Sequence, residues 1–387
     1  MARSPAPCNV RIGVMSEGVP LSQLENSVLI SGGAGIQWVN LSAELEWSFD
    51  EFQRRHRLDA AAARMAYRSR FSDSNPENCL PISAVLPDGD AAKFVFCVGW
   101  RWGGSASPQE PLEIESVMLP MKNRHGGRWL TLCISSQIGC RMGCEFCQTG
   151  RMGLIGQLPA SHIIAQVLTV QHWLREKRPG STIKNIVFMG MGEPLDNADA
   201  VFKAIRLFTE PRGLAFAPAC ITLSTVGRID GLQRFAREDI PPVRLAISIT
   251  SADDHLRSRL MPINRSMPLA KLRQTLLDLP RSSRSRYLIQ YVMLKGINDD
   301  PRDAHQLAQW CQDLPVTVNL IAYNPQDPPI FEASTPDRIE AFSAVLKNSG
   351  ILVKQRATIC QARMGACGQL GNRHLRRRPS ESTSNRA

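Results

Sequence analysis

The sequence predicts an α/β protein: a partial barrel of six βα units with a small N-terminal accessory domain. Two observations point there. From about residue 130 onward, apolar β-branched runs alternate with segments whose apolar residues recur three and four apart, and before residue 110 that alternation is missing. A third observation agrees with them: a cluster of thiols at 140–147 directly follows the first run, on the side where barrel loops carry chemistry.

In chain order, residues 1 to about 40 are rich in Gly, Ser and Pro and read as a loosely ordered lead-in. SFDEFQRRHRLDAAAARMAYRSRF has the charges and apolar spacing of one or two amphipathic helices bearing several arginines. AKFVFCVG and LEIESVMLP read as strands on either side of a Gly-rich connection, giving an accessory domain over 1–110 that is a candidate RNA contact. The barrel strands are TLCISSQIG, IKNIVFMG, CITLSTVG, VRLAISIT, RYLIQYVML and VTVNLIAY. Helical patterns from ASHIIAQVLTVQHWLREK to DRIEAFSAVLKNSG follow or separate them, so the core spans 111–371 with parallel strands buried on both faces. GNRHLRRRPSESTSNRA is too polar to pack and gives a basic disordered tail over 372–387.

Composition narrows the function. The 387 residues are 43% hydrophobic and 21% charged, and no apolar run approaches the roughly 18 residues a membrane span needs. MARSPAPCNVRIG has no apolar signal-peptide core, so a cytoplasmic, reducing location is expected. The 11 cysteines are unevenly spread, which argues against a secreted disulfide scaffold and for metal binding or thiol chemistry. A formal charge of +11 suits a polyanionic partner such as nucleic acid.

GCRMGCEFCQTGRMG places three residues between Cys140 and Cys144 and two between Cys144 and Cys147. Structural zinc wants four protein ligands, and this loop supplies three. An iron–sulfur cube held by three thiolates would leave one iron open to a substrate or cofactor. A zinc site completed by a distant Cys or His remains the alternative. In VFMGMGEPL, glycine at 190 and 192 would let the backbone approach a ligand, and the Glu193 carboxylate could receive an ammonium group.

The thiol spacing, on a loop after the first strand of such a barrel, resembles that of radical S-adenosylmethionine (SAM) enzymes. The blocks ESVMLP, TLCISSQIGCRMGCEFCQTGRMG, NIVFMGMGEPLDN, TLSTVGRIDGL, LMPINRSMPL, YVMLKGINDD, VNLIAYNP and ACGQLG, over about two thirds of the chain, resemble the radical SAM rRNA adenine methyltransferases of the RlmN/Cfr type. The resemblance implies that Cys140, Cys144 and Cys147 hold a [4Fe-4S] cluster whose open iron is chelated by SAM. It implies that Gly192, Glu193, Ser224, Ser248, Ile249, Thr250 and Asn324 line the SAM pocket. Cys367 matches the cysteine that is itself methylated, Cys133 the thiol that resolves the intermediate through a transient disulfide, and Glu115 the proton acceptor.

In that family the target is an electron-poor ring carbon of adenine, which cannot attack a methyl group as a nucleophile would. The resemblance therefore implies a carbon radical on Cys367, a covalent protein–RNA bridge, and release by Cys133. Carbon 2 of an adenosine in 23S rRNA is the first expectation, ahead of carbon 8, with tRNA as a possible substrate, a flavodoxin or ferredoxin as electron donor, and a monomer as the working form. Two stretches depart from the family pattern. CQARMG precedes ACGQL where acidic residues are usual, and Ser248-Ile249-Thr250 lacks the histidine of the usual Ser-Leu-His. Two alternatives stay open: an enzyme of the same fold acting on another RNA or a small molecule, and a non-enzymatic RNA-binding protein stabilised by a metal. The second explains the charge and the clustered thiols, but not Glu193, Cys133 and Cys367 together.

Overall fold

The structure is a computed structural model that describes residues 36–71, 76–101, 110–122, 126–280, 286–326, 328–356 and 359–371. Most of the expected lead-in and the whole of the expected tail lie outside the described residues. The described chain starts with β1 (Ile36–Trp38), α1 (Phe49–His56) and α2 (Ala60–Ser69). The arginine-rich segment is two helices because Arg57 turns left-handed at φ 52° and Asp59 then caps α2, accepting from the Ala61 and Ala62 amides at 2.9 and 2.8 Å. Next come β2 (Ile82–Asp88), β3 (Ala91–Arg101) and β4 (Glu110–Lys122) in antiparallel pairing, then β5 (Arg128–Cys133).

The first barrel run is broken. β5 stops at Cys133, and β6 (Gln137–Cys140) leaves the main sheet to pair, across α3 (Gln148–Arg151), with β7 (Gly153–Gln157). Gly139 makes the close pairing feasible, since at φ 75° a Cβ there would lie 1.9 Å from the Gly153 oxygen. The chain continues through α4 (Ala160–Lys177), β8 (Ile183–Phe188), α5 (Ala198–Thr209), β9 (Ile221–Thr225), α6 (Ile229–Arg237) and β10 (Arg244–Ser248). It ends with α7 (Asp254–Leu260), α8 (Leu269–Asp278), β11 (Tyr287–Met293), α9 (Pro301–Trp310), β12 (Val316–Ala322), α10 (Pro336–Asn348) and β13 (Leu352–Arg356).

Among the described residues eleven strands form one sheet in the order β1-β3-β4-β5-β8-β9-β10-β11-β12-β13, with β2 on β3, and every pairing of that sheet from β5–β8 onward is parallel. The six expected barrel strands are there, and β13 adds a seventh parallel one. Its sequence LVKQR is too polar and exposed to read as a buried strand, because it lies at the sheet's edge. The sheet runs without a break across residue 110, since β4 pairs with β3 on one side and β5 on the other.

Alternation along these strands decides what faces the site. Phe94 meets Trp173 of α4 edge-on at 5.2 Å and Tyr291 meets Phe342 of α10 at 5.0 Å, so this parity faces the helices. The opposite parity faces the concave side. Register links Lys93 to Val117, Val117 to Cys133, Cys133 to Val187, and Val187 to Thr222. It also links Ser224 to Ala246, Ser248 to Gln290, Gln290 to Asn319, and Ile321 to Arg356. Residues two apart share a face, so Lys93, Glu115, Cys133, Ser224, Ser248, Gln290 and Arg356 all line the concavity.

On the helix side, His162 of α4 is buried against Trp38 of β1, ring centroids 5.3 Å apart, and burial pulls its pKa down to about 4. The unfolded chain binds a proton there that the folded chain refuses, so stability is full above about pH 6.5 and falls as pH drops towards 4. His162→Gln is expected to remove an acid sensitivity on the order of 3 kcal/mol, read as a flatter dependence of urea midpoint on pH between 4 and 7.

Candidate active site

The thiol loop sits at the carboxyl end of the parallel strands, with Cys140 and Cys144 buried and Cys147 half-buried. Burial pushes each of them above the ordinary thiol value, and the thiols lie within electrostatic reach of one another. The loop is docked on α7, whose Leu260 carbonyl accepts from the Glu145 amide at 3.0 Å. Below it Arg257, fully buried, donates to the carbonyls of Val226 (2.7 Å), Ser248 and Ile249 (3.2 Å each) and to Asn264 Oδ1 (2.6 Å). It thus ties together the ends of β9 and β10.

The turn after β8 brings Glu193 beside the loop. Gly192 has φ 104°, and a Cβ there would lie 2.6 Å from the Cβ of Gln137, so no other residue fits without displacement. The Glu193 carboxylate accepts from the Leu195 amide (3.1 Å) and the Val226 amide (2.9 Å). Burial nevertheless raises its pKa to about 7, outweighing the bonds from Thr225 and the two amides. Asp196 locks the surroundings: its carboxylate accepts from Gln137 Nε2 (2.9 Å), Arg141 Nε (2.7 Å) and Arg228 Nη1 (2.6 Å). Ser224 and Ser248 end neighbouring strands on the concave face. Thr250 is buried with φ 59° and an unpartnered hydroxyl. Ile249 has the opposite parity and its side chain packs in the core, which leaves only its backbone near the site.

The segment 360–371 runs from β13 back towards the β2–β3 hairpin, where Arg363 Nε donates to Pro87 O at 3.1 Å. Asn324 Nδ2 donates to Cys367 O (3.1 Å), and the Gly368 carbonyl accepts from the Gln148 amide (2.8 Å) on the thiol loop. Asn324 therefore holds the Cys367 segment, with its Oδ1 unpartnered. The Cys367 sulfur lies within electrostatic reach of Cys133, Cys147 and Arg356. Burial pushes Cys133 up to about 12, against the pull of Arg356 and the Met189 amide, while the nearby thiols raise the Arg356 pKa. Glu115 is also buried, its pKa raised by desolvation and drawn back by Lys93 and the Gly371 amide.

The radical SAM superfamily profile matches residues 134–308. The chain is 41% identical over 283 residues, covering 73% of it and 77% of the relative, to the dual-specificity RNA methyltransferase RlmN of Syntrophobacter fumaroxidans. It is 38% identical over 290 residues, 74% of each chain, to the dual-specificity RNA methyltransferase RlmN 2 of Myxococcus xanthus. The chain belongs to the radical SAM RNA methyltransferases of the RlmN/Cfr type. In three dimensions it is similar to the crystal structure of a radical SAM methyltransferase from Sphaerobacter thermophilus, with a TM-score of 0.72 and 30% identity over 86% of this chain and 99% of that one.

Radical SAM proteins generally use a [4Fe-4S] cluster and SAM. The residues of this RNA methyltransferase fit both. Three thiols, two buried and that of Cys147 half-buried, lie on one loop, and a cube takes each thiolate on its own iron. Among the described residues no three such side chains converge on a point that could hold one metal ion. Beside the loop are the buried Glu193 carboxylate and buried polar atoms without protein partners: Ser136 Oγ, Thr250 Oγ1, Asn324 Oδ1 and both amide atoms of Gln290. A polar, amino-acid-bearing ligand would satisfy such groups. Among the described residues no helix is long and apolar enough to cross a membrane.

Sequence reasoning missed four residues of this RNA methyltransferase's concavity: Lys93, Arg257, Gln290 and Arg356. Lys93 in AAKFVFCV and Gln290 in YLIQYVM each interrupt an apolar strand run, and that interruption was the available signal. Nothing local marks Arg257 or Arg356, whose partners all come from other elements.

Proposed function

We propose that this enzyme methylates a ring carbon of adenosine, carbon 2 ahead of carbon 8, in 23S rRNA with tRNA as a second substrate, by way of a methylated Cys367. The observation that carries this reading is that Cys367 lies within electrostatic reach of Cys133 and Cys147, on a segment that also bonds Glu115. Cys140, Cys144 and Cys147 would hold a [4Fe-4S] cluster, and Gly192, Glu193, Ser224, Ser248, the Ile249 backbone, Thr250 and Asn324 would surround SAM. When bound, cluster and SAM supply the radical that removes hydrogen from the methyl group on Cys367. Residues 1–110 would contact RNA, 111–371 form the catalytic core, and a small flavodoxin- or ferredoxin-type donor would bring electrons to a monomer.

The chain's own groups divide the remaining work. Cys367 carries the carbon to the base, and Glu115 accepts the ring proton. Cys133 gives up its proton and its Sγ attacks Cys367 Sγ; the S–S bond forms as the bridging S–C bond breaks with its electron pair left on the carbon, which takes up a proton to become the methyl group, while the one unpaired electron of the adduct would pass to the cluster when it is bound. A thiol whose pKa is pushed up to about 12 stays protonated at neutral pH, so Cys133 does not attack prematurely, and Arg356 offers its thiolate a counter-charge. Mass spectrometry of nucleosides from the rRNA and tRNA of cells with and without the protein tests the reading. Loss of 2-methyladenosine on deletion is expected; an unchanged profile in both RNAs would overturn it.

A further inference from the structure

Glu115 is built into a latch. Its Oε1 accepts from Lys93 Nζ at 3.1 Å, its Oε2 accepts from the Gly371 amide at 3.1 Å, and Lys93 Nζ also donates to the Met364 carbonyl at 3.3 Å. Met364 and Gly371 bracket Cys367. One buried ion pair therefore holds both ends of the segment that carries the reactive sulfur. The middle is held differently: Asn324 donates to the Cys367 carbonyl, Gln369 Nε2 to the Pro325 carbonyl at 2.7 Å, and Thr149 Oγ1 to the Leu370 carbonyl at 2.5 Å. Those contacts are between neutral groups and do not respond to a proton.

We propose that Lys93 is a positioning residue that couples the protonation state of Glu115 to the hold on the Cys367 segment, so that proton uptake by Glu115 frees the segment for attack by Cys133. The proposal rests on the roles given above to Glu115 and Cys367. The proton leaves the ring carbon and bonds to a Glu115 oxygen, the electron pair of the broken C–H bond stays with the ring, and no bond to Lys93 is made. The carboxylate accepts charge-assisted bonds from Lys93 and Gly371; the neutral acid is a poorer acceptor. Lys93 is then a buried cation without a counter-charge, an arrangement stable only if it moves towards water or another acceptor. Either movement slackens its bond to Met364. The other charged or titratable groups that act on the pair are Glu113 on β4, beside Glu115, and Cys360 on the segment, beside Lys93; Cys360 in turn lies within reach of Asp88 on β2 and Arg363 on the segment.

Hydrogen exchange of the peptide covering 359–371, read by mass spectrometry at one pH, tests the latch without any cofactor. Glu115→Gln, close to isosteric with the protonated acid, and Lys93→Met are each expected to speed exchange by about tenfold or more. The double variant should be no faster than the faster single, and exchange in α4 should be unchanged. Wild-type protection in Glu115→Gln would overturn the proposal even if Lys93→Met loosens the segment, and it decides the matter if Lys93→Met does not fold. The second readout is the rate of methylation against pH. Without Lys93 the Glu115 pKa rises, so the acidic limb should move to higher pH by about one unit or more. A residue that only fills space would lower the rate at every pH and leave the limb in place, which would equally refute the coupling. Should methylation survive in Cys367→Ala, the proposed function fails while the exchange result stands, so the two failures are distinguishable.

Discussion

Purified from cells, Cys133→Ala is expected to carry covalently attached RNA, while Cys367→Ala comes out free of RNA, and both lose methylation to background. The asymmetry follows from the roles of the two sulfurs. Cys367 lies on a segment pinned to the thiol loop through Gly368 and Gln148, which brings its sulfur within electrostatic reach of both Cys147 and Cys133. Without Cys367 no atom can carry the carbon. Without Cys133 the bridge can form, but nothing cleaves it, because thiol–disulfide chemistry needs a second free thiol in reach and Cys147 would be held on the cluster. Among the described residues Cys360 is the other thiol of the segment, and it is buried on the side of Lys93 and Arg363. Denaturing gels stained for nucleic acid before and after nuclease treatment give the answer. Methylation persisting in Cys367→Ala would refute the sulfur bridge and leave the family assignment intact.

The second large effect concerns the thiol loop. Replacing any one of Cys140, Cys144 or Cys147 by Ala is expected to abolish iron and sulfide retention and the reductive cleavage of SAM, since three thiolates already leave one iron of a cube without a protein ligand. The fold should survive, because a buried thiol behaves as a small apolar group and its loss leaves little empty volume. Circular dichroism should match the wild type while the iron assay reads near zero. Burial holds these thiols protonated, so assembly must release protons and should be faster at higher pH. Full iron occupancy in all three variants would remove the cluster from this loop.

The sequence by itself determined the elements whose signal is local. Apolar runs placed the six parallel strands, three-and-four spacing placed their helices, and the separations of Cys140, Cys144 and Cys147 are covalent facts that no folding alters. It also supplied, through the order of its motifs, the family. It missed β13 because an exposed edge strand needs no apolar pattern, and it ran β6 into β5 because ISSQIG carries no local signal for the bend at Ser136. Only the tertiary structure decided which distant residues meet. Lys93 reaches Glu115 and Met364 through the β3–β4 register and the return of the chain after β13, pairings separated by up to 271 residues. Parity turned Ile249 into the core while Ser248 faces the site, and a one-residue slip would have exchanged them. Arg257 and Arg356 serve groups on other elements, so their environments exist only after those elements are packed. Local propensity is a property of neighbouring residues and can be read from the chain; register and loop closure depend on the whole sheet, and the active site is assembled from them.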